Sequence, residues 1–184
     1  RVVLSQGVAI RGHVFDEAGA PMAGVRLEGL TNQENTWRRG VSLDGGSFAV
    51  SGFEGGGGGF TVRAVKHGYA MADRVGITVP PEGLEGLELV MVPESVVSGI
   101  VVDEQGEPVS GAGVLFSAKR PVRFEGHQFE TGEDGKFEAW GLYPALYAIG
   151  IKPPETRVWS SRDEVARLEL AQGERVEGLV LSLE

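Results

Sequence analysis

His127-Gln-Phe-Glu130 has the H-x-x-E spacing that supplies two zinc ligands in some metallopeptidases. A catalytic zinc also needs a third protein ligand, and the remaining histidines, His13 and His67, both lie in the other half of the chain. Residues three apart on a strand point to opposite faces, so the pair reads as structural and no metal site is expected. Nucleophilic catalysis has no better support. There is no G-x-S-x-G elbow, and three scattered histidines place no base beside a particular serine. Cysteine is absent, which removes disulfides, thiolate metal sites and a cysteine nucleophile together. The run Gly55 to Gly59 lacks the Lys-Ser/Thr of a phosphate-cradling loop and leads into the strand pattern Phe60-Thr-Val62, so it reads as a floppy hairpin tip. Acidic turns at Asp16-Glu17, Asp103-Glu104 and Glu133-Asp134 are the calcium candidates, yet none has the spaced oxygen ligands of a calcium loop. The expectation is a protein that is not an enzyme and holds no cofactor.

The side chains best suited to binding are tryptophans. Trp37 adjoins Arg38 and Arg39, and Trp159 lies between Arg157 and Arg162, so each offers an apolar face beside cationic donors. Trp140 follows Phe137 and Ala139 and should point away from the core by strand alternation. A sugar ring or a protein partner suits such surfaces, while the plainer reading has each indole covering a loop or a contact between domains. The candidate ligand-binding set is therefore Trp37, Arg38, Arg39, Trp140 and Trp159.

The elements that carry these residues come from one unit written twice. Gly12-His-Val-Phe-Asp16-Glu17-Ala-Gly19-Ala-Pro21 lines up with Gly99-Ile-Val-Val-Asp103-Glu104-Gln-Gly106-Glu-Pro108 at an offset of 87. Asp44-Gly-Gly46-Ser-Phe48 matches Glu133-Asp-Gly135-Lys-Phe137 at an offset of 89, so two residues have entered a loop. Near each end Leu84-Glu85-Gly86-Leu87 answers Val176-Glu177-Gly178-Leu179. None of the tryptophans falls at a matching place, whereas core residues should recur. The expected division is residues 8–92 and 93–184, with residues 1–7 read as the final strand of a preceding repeat or an N-terminal extension.

Within each repeat, period-two alternation dominates, as in Ile10, Gly12 and Val14, or Phe60, Val62 and Ala64. Turn signals such as Asp44-Gly45-Gly46 separate the segments. Ala166, Leu168 and Leu170 alternate in the same way, and only Ser161 to Leu168 has helix formers in a row, enough for one capped turn ahead of the strand that follows. About seven short strands per repeat cannot bury one face as a single flat sheet, so each repeat is expected to be a two-layer sandwich. The fold class is all-β: two tandem seven-stranded β-sandwich domains. Strand one of the second repeat is apolar on both sides, with Val97 and Val101 on one and Ile100 and Val102 on the other, so its outer face is expected to be covered.

These residues carry a resemblance. Ile10-x-Gly12-x-Val14-x-Asp16-x-x-Gly19-x-Pro21-x-x-Gly24-Val25, with Asp44-Gly-Gly46-x-Phe48 and Gly52-Phe53, resembles the carboxypeptidase regulatory-like domain, a transthyretin-like (Ig-like) β-sandwich. The second repeat resembles it through Gly99-x-Val101-x-Asp103, Pro108, Gly111-Ala112, Asp134-Gly135-x-Phe137, Gly141-Leu142 and Tyr147. Departures sit in loops: Gly55 to Gly59 replaces a compact turn, and only the first repeat keeps Gly68-Tyr69. The resemblance implies a non-catalytic accessory or structural domain of exported or envelope proteins. Related sandwiches in Gram-positive surface fibres lock themselves with a Lys-to-Asn isopeptide bond. Here Lys66, Lys119, Lys136 and Lys152 all lie off the first strand of a repeat, and the only asparagines are Asn32 and Asn35, so no such lock is expected.

Charge narrows the partners. Across 184 residues, 26 acidic side chains against 17 basic give a formal charge of -9, which opposes general attraction to nucleic acid or anionic lipid. Residues 1–92 hold 8 basic and 10 acidic side chains, and residues 93–184 hold 9 and 16. No apolar stretch approaches the roughly 18 to 20 residues of a membrane span, and the first residues lack a signal-peptide pattern, so no membrane insertion is expected. The expected role is a spacer or adhesive stalk in a secreted, periplasmic or cell-surface protein, partnered by other domains of the same polypeptide and by a surface protein or glycan. The alternative is a carbohydrate-binding accessory module of a secreted hydrolase.

Overall fold

The computed structural model describes residues 7–30, 37–118, 126–156 and 164–183. Among them there is no helix, and hence none long and apolar enough to cross a membrane. The chain divides into two compact units, Arg1–Val92 and Pro93–Glu184.

The first unit holds seven strands: β1 (Val8–Asp16), β2 (Arg26–Leu30), β3 (Trp37–Val41), β4 (Ser47–Phe53), β5 (Phe60–Val65), β6 (Ala72–Ile77) and β7 (Leu84–Met91). They form a three-stranded sheet in the order β4-β1-β7 and a four-stranded sheet in the order β3-β2-β5-β6. Alternation sets which face is buried: Ile10 and Val14 of β1, Leu27 of β2, Val50 of β4 and Val62 and Ala64 of β5 are fully buried, while neighbours such as Arg11, Arg26 and Ala49 are exposed. Each fully buried Val, Leu or Ile contributes about 1.5–3 kcal/mol through lost apolar exposure. Phe53 and Phe60 meet edge to face inside this core, 5.3 Å between ring centres.

The second unit repeats the plan with β8 (Ser95–Val102), β9 (Gly113–Ala118), β10 (His127–Glu130), β11 (Lys136–Leu142), β12 (Leu146–Lys152), β13 (Glu164–Glu169) and β14 (Arg175–Ser182). Its sheets run β11-β8-β14 and β10-β9-β12-β13. Phe116 stands at the middle of the core, its ring 6.0 to 6.3 Å from those of Tyr147, Phe129 and Phe137. Val97 and Val101 are fully buried, whereas Ile100 and Val102 on the opposite face are half-buried.

First and last strands pair in parallel in both units, β1 with β7 and β8 with β14; every other pairing is antiparallel. The parallel ladders share one irregularity. Register slips by a residue between Ile10 and Gly12 against β7, and between Val176 and Leu179 against β8. The extra residue is a glycine with positive φ, Gly86 (75°) and Gly178 (74°). Each bulge pushes a carbonyl into the first strand, where a Cβ at Gly12 would sit 2.6 Å from the Leu87 carbonyl carbon and one at Gly99 would overlap the Leu179 carbonyl oxygen. The repeated Leu84-Glu85-Gly86-Leu87 pattern is this bulge, and Gly12 and Gly99 are its counterparts.

The strand expected from Ala166 and Leu168 is present: Glu164–Glu169 extend as β13 paired to β12, with partly buried Ala166 and Leu168 packed on the core; the capped turn expected ahead of it begins at residues 161–163, outside the described residues. The glycine run, expected to be floppy, is instead pinned. Gly56 N–H donates to the Val79 carbonyl at 2.7 Å, Val79 N–H donates to Gly57 at 2.8 Å, and a Cβ at Gly57 would lie 2.9 Å from the Phe60 ring. Glycine is needed there for close packing over an aromatic as well as for positive φ at Gly56 (81°).

Candidate functional site

Strand β3 carries Trp37, Arg38 and Arg39 at the edge of its sheet. Strand geometry divides them. Trp37, Arg39 and Val41 share the outer face, with Trp37 46% and Val41 57% exposed. Arg38 points the other way: its Nε donates to the Gly52 carbonyl, and its guanidinium lies 5.8 Å from the centre of the Phe53 ring, a cation–π contact at the core's margin. Arg38 therefore tethers β3 to β4 and leaves the grouping with Trp37.

Across the outer face, strand register sets Arg39 opposite Glu28, Glu28 opposite Arg63 and Arg63 opposite Asp73. Arg63 grips Asp73 with two bonds, Nε–Oδ1 at 2.8 Å and a second guanidinium nitrogen to Oδ2 at 3.0 Å, and Arg26 Nε meets Glu28 Oε1 at 3.0 Å. The face is thus a row of alternating charges bordered by Trp37 and Val41. The equivalent strand of the second unit places Gly126, Gln128 and Glu130 at the matching positions, so the fold itself does not require the apolar and cationic character of β3.

Trp140 belongs to the second unit. It is half-buried on β11, facing away from the side that buries Phe137 and Ala139. The register irregularity at Gly141 follows it, and the Gly141 N–H donates to Glu94 Oε2 at 2.7 Å. Trp159, together with the neighbouring Arg157 and Arg162, lies outside the described residues, as do Lys119, Asn32 and Asn35.

The polar residues that recur between units have other employment. Asp16 Oδ1 accepts from the N–H groups of Ala18 (3.0 Å) and Ala20 (2.8 Å), and Asp103 Oδ1 accepts from Gln105 and Glu107, both at 2.9 Å. These carboxylates close turns. Asp134 accepts from the Lys136 N–H at 3.1 Å and pairs with its Nζ at 2.7 Å, which holds the carboxyl below its usual range. Ser42 and Thr131 are residues that sequence reasoning missed. The Ser42 hydroxyl accepts from Val25 N–H (2.9 Å) and donates to the Met22 carbonyl (2.7 Å); Thr131 does the same with Ala112 (2.8 Å) and Val109 (2.7 Å). Their signal was a hydroxyl recurring at the offset of 89.

His127 is buried and stacks on Phe129, while Glu130 is exposed, so the H-x-x-E pair is split between faces. Among the described residues no three His, Cys, Asp or Glu side chains gather as a metal site would require. The Tyr147 hydroxyl donates to the Tyr143 carbonyl and accepts from its N–H, both at 3.0 Å, and burial pushes its pKa up to about 12. Lys66 Nζ donates to the Ala23 carbonyl at 2.8 Å.

No family model matches this chain, and no curated protein matches it. Solved structures do. The TIE protein of Bacillus anthracis is 16% identical with a TM-score of 0.40, the match covering 96% of this chain and 34% of that one. The minor pilin GBS52 of Streptococcus agalactiae is 11% identical with a TM-score of 0.39, covering 94% of each chain. A streptococcal ancillary pilin is 14% identical with a TM-score of 0.38, covering 98% of this chain and 63% of that one.

Proposed function

We propose that the chain is a non-catalytic structural and adhesive module: two β-sandwich repeats of the carboxypeptidase regulatory-like type, acting as a spacer within a longer exported or cell-envelope polypeptide. One observation carries this reading. The polar side chains recurring at matching positions, Asp16 with Asp103 and Ser42 with Thr131, bind backbone groups of their own unit. Repetition has kept what builds the sandwich, while exposed strand faces such as that of Trp37 and Arg39 differ between the copies. Partners are then other domains of the same polypeptide and whatever meets those faces.

Fractionation of the producing cells with an antibody against this chain should recover it in the envelope or medium, accessible to added protease. Recovery in the cytosol alone would refute the assignment of place. The purified chain should turn over none of a panel of peptide, ester and glycosidic substrates; turnover abolished by a single polar substitution would overturn the non-catalytic reading. Retention on insoluble glycans that is lost in Trp37→Ala or Trp140→Ala with folding intact would replace the spacer with a carbohydrate-binding module.

A further inference from the structure

We propose that each unit is a tension-bearing clamp, in which the parallel pair of first and last strands resists forces applied along the chain. The first unit is entered at the start of β1 and left at the end of β7; the second is entered at the start of β8 and left at the end of β14. Because the paired strands are parallel, pulling the entry backward and the exit forward slides one strand along the other. The ladder bonds are then strained together and must fail together. Antiparallel entry and exit strands would instead open one bond at a time from the end, at much lower force.

The glycine bulge adds a stop. Sliding β7 forward carries the Leu87 carbonyl away from Gly12 toward His13 and Val14, which have side chains where Gly12 has none. The position that admits that carbonyl is Gly12, and in the second unit Leu179 faces Gly99 in the same way. Six residue pairs in register on each ladder, with a steric pin among them, form the clamp. No disulfide shares the load, since the chain has no cysteine. Lys66 is engaged with the Ala23 carbonyl. Among the described residues, the ladder and the core beneath it are what join the entry and exit strands.

The inference rests on the spacer reading for the origin of the tension but not for the clamp's geometry, so the two fail separately. Absence of cysteine makes the test direct, because handles attach only where cysteines are introduced. Pulling the full chain by its two ends shears both units. Pulling between Ala18→Cys and Val90→Cys, or between Gln105→Cys and Ser182→Cys, loads the same strand pairs from one shared end and peels them. Each unit should release about 30 nm of chain when sheared, from ~3.3–3.6 Å per extended residue. At one pulling speed, the shear events should need at least about twice the force of the peel events, since forced unfolding follows the barrier along the loaded direction. Unchanged thermal midpoints in the cysteine variants show that the folded state is the same in both geometries. Equal forces in shear and peel, or shear events at the lower force, would overturn the clamp whatever the cellular location of the protein.

Discussion

Asp16 and Asp103 carry the charge a cation would seek, and the fold engages them first. A carboxylate at the start of a tight turn finds backbone N–H groups within hydrogen-bond reach, and the turn closes around it. Replacing Asp16 by Ala should cost about 1–2 kcal/mol in urea denaturation, while Asp16→Asn, which keeps an accepting oxygen, should cost well under that. Added calcium should leave the wild-type midpoint unmoved. Ser42 gives a sharper contrast. Ser42→Ala strands the buried Val25 N–H and should cost about 1–3 kcal/mol, whereas Ser42→Thr imitates Thr131 and should be tolerated. Tyr147 adds a pH dependence. Its pKa of about 12 exceeds the ~10 of an unfolded tyrosine, so between those values the unfolded chain has released a proton that the folded one keeps. The stability this group contributes is therefore present below pH ~10 and declines as pH rises toward ~12. Denaturation of the second unit across that window should show the decline, and Tyr147→Phe should flatten it; a slope unchanged in the variant would reject this assignment. In the sequence these residues show only their types, acid, hydroxyl or aromatic, and Ser42 and Thr131 go unnoticed. Partners such as Val25 and Met22 lie about 17 to 20 residues from Ser42 in the chain, a separation that local spacing cannot interpret.

At the scale of elements, repetition made the strands legible and left their irregularities unread. The paired motifs around Gly86 and Gly178 were visible as recurring letters, but a bulge exists only relative to a partner strand. Gly86→Ala places a side chain at positive φ in open space and should cost about 1–2 kcal/mol. Gly12→Ala drives a methyl into the Leu87 backbone and should cost more, on the order of 3 kcal/mol or above, enough to threaten the unit's cooperative transition. Equal costs at the two positions would mean that backbone conformation, not close approach, selects both glycines. Gly55 to Gly59 shows the same limit. Five glycines in sequence describe freedom of the unfolded chain, while the hydrogen bonds to Val79 and the nearby Phe60 ring decide that the folded loop is held. Arg38 and Arg39 are adjacent letters with opposite fates because strand alternation turns one toward Phe53 and the other outward.

At the scale of the whole molecule, two cores of similar make-up stand on separate halves of the chain. Fragments 1–92 and 93–184 should each fold alone and unfold in one cooperative step, a size at which single domains sustain a core. Fragments that are expressed but show no cooperative transition would count against independent domains. The sequence by itself determined the all-β class, the duplication and the inward-facing residues, because period-two burial and turn chemistry are local and are written twice. Only the tertiary structure decided that the first and last strands run parallel, that a glycine bulge pins them, and that the candidate residues of β3 divide between two faces. Those outcomes depend on which distant strands become neighbours, and strand pairing is a property of the closed chain that no single segment carries.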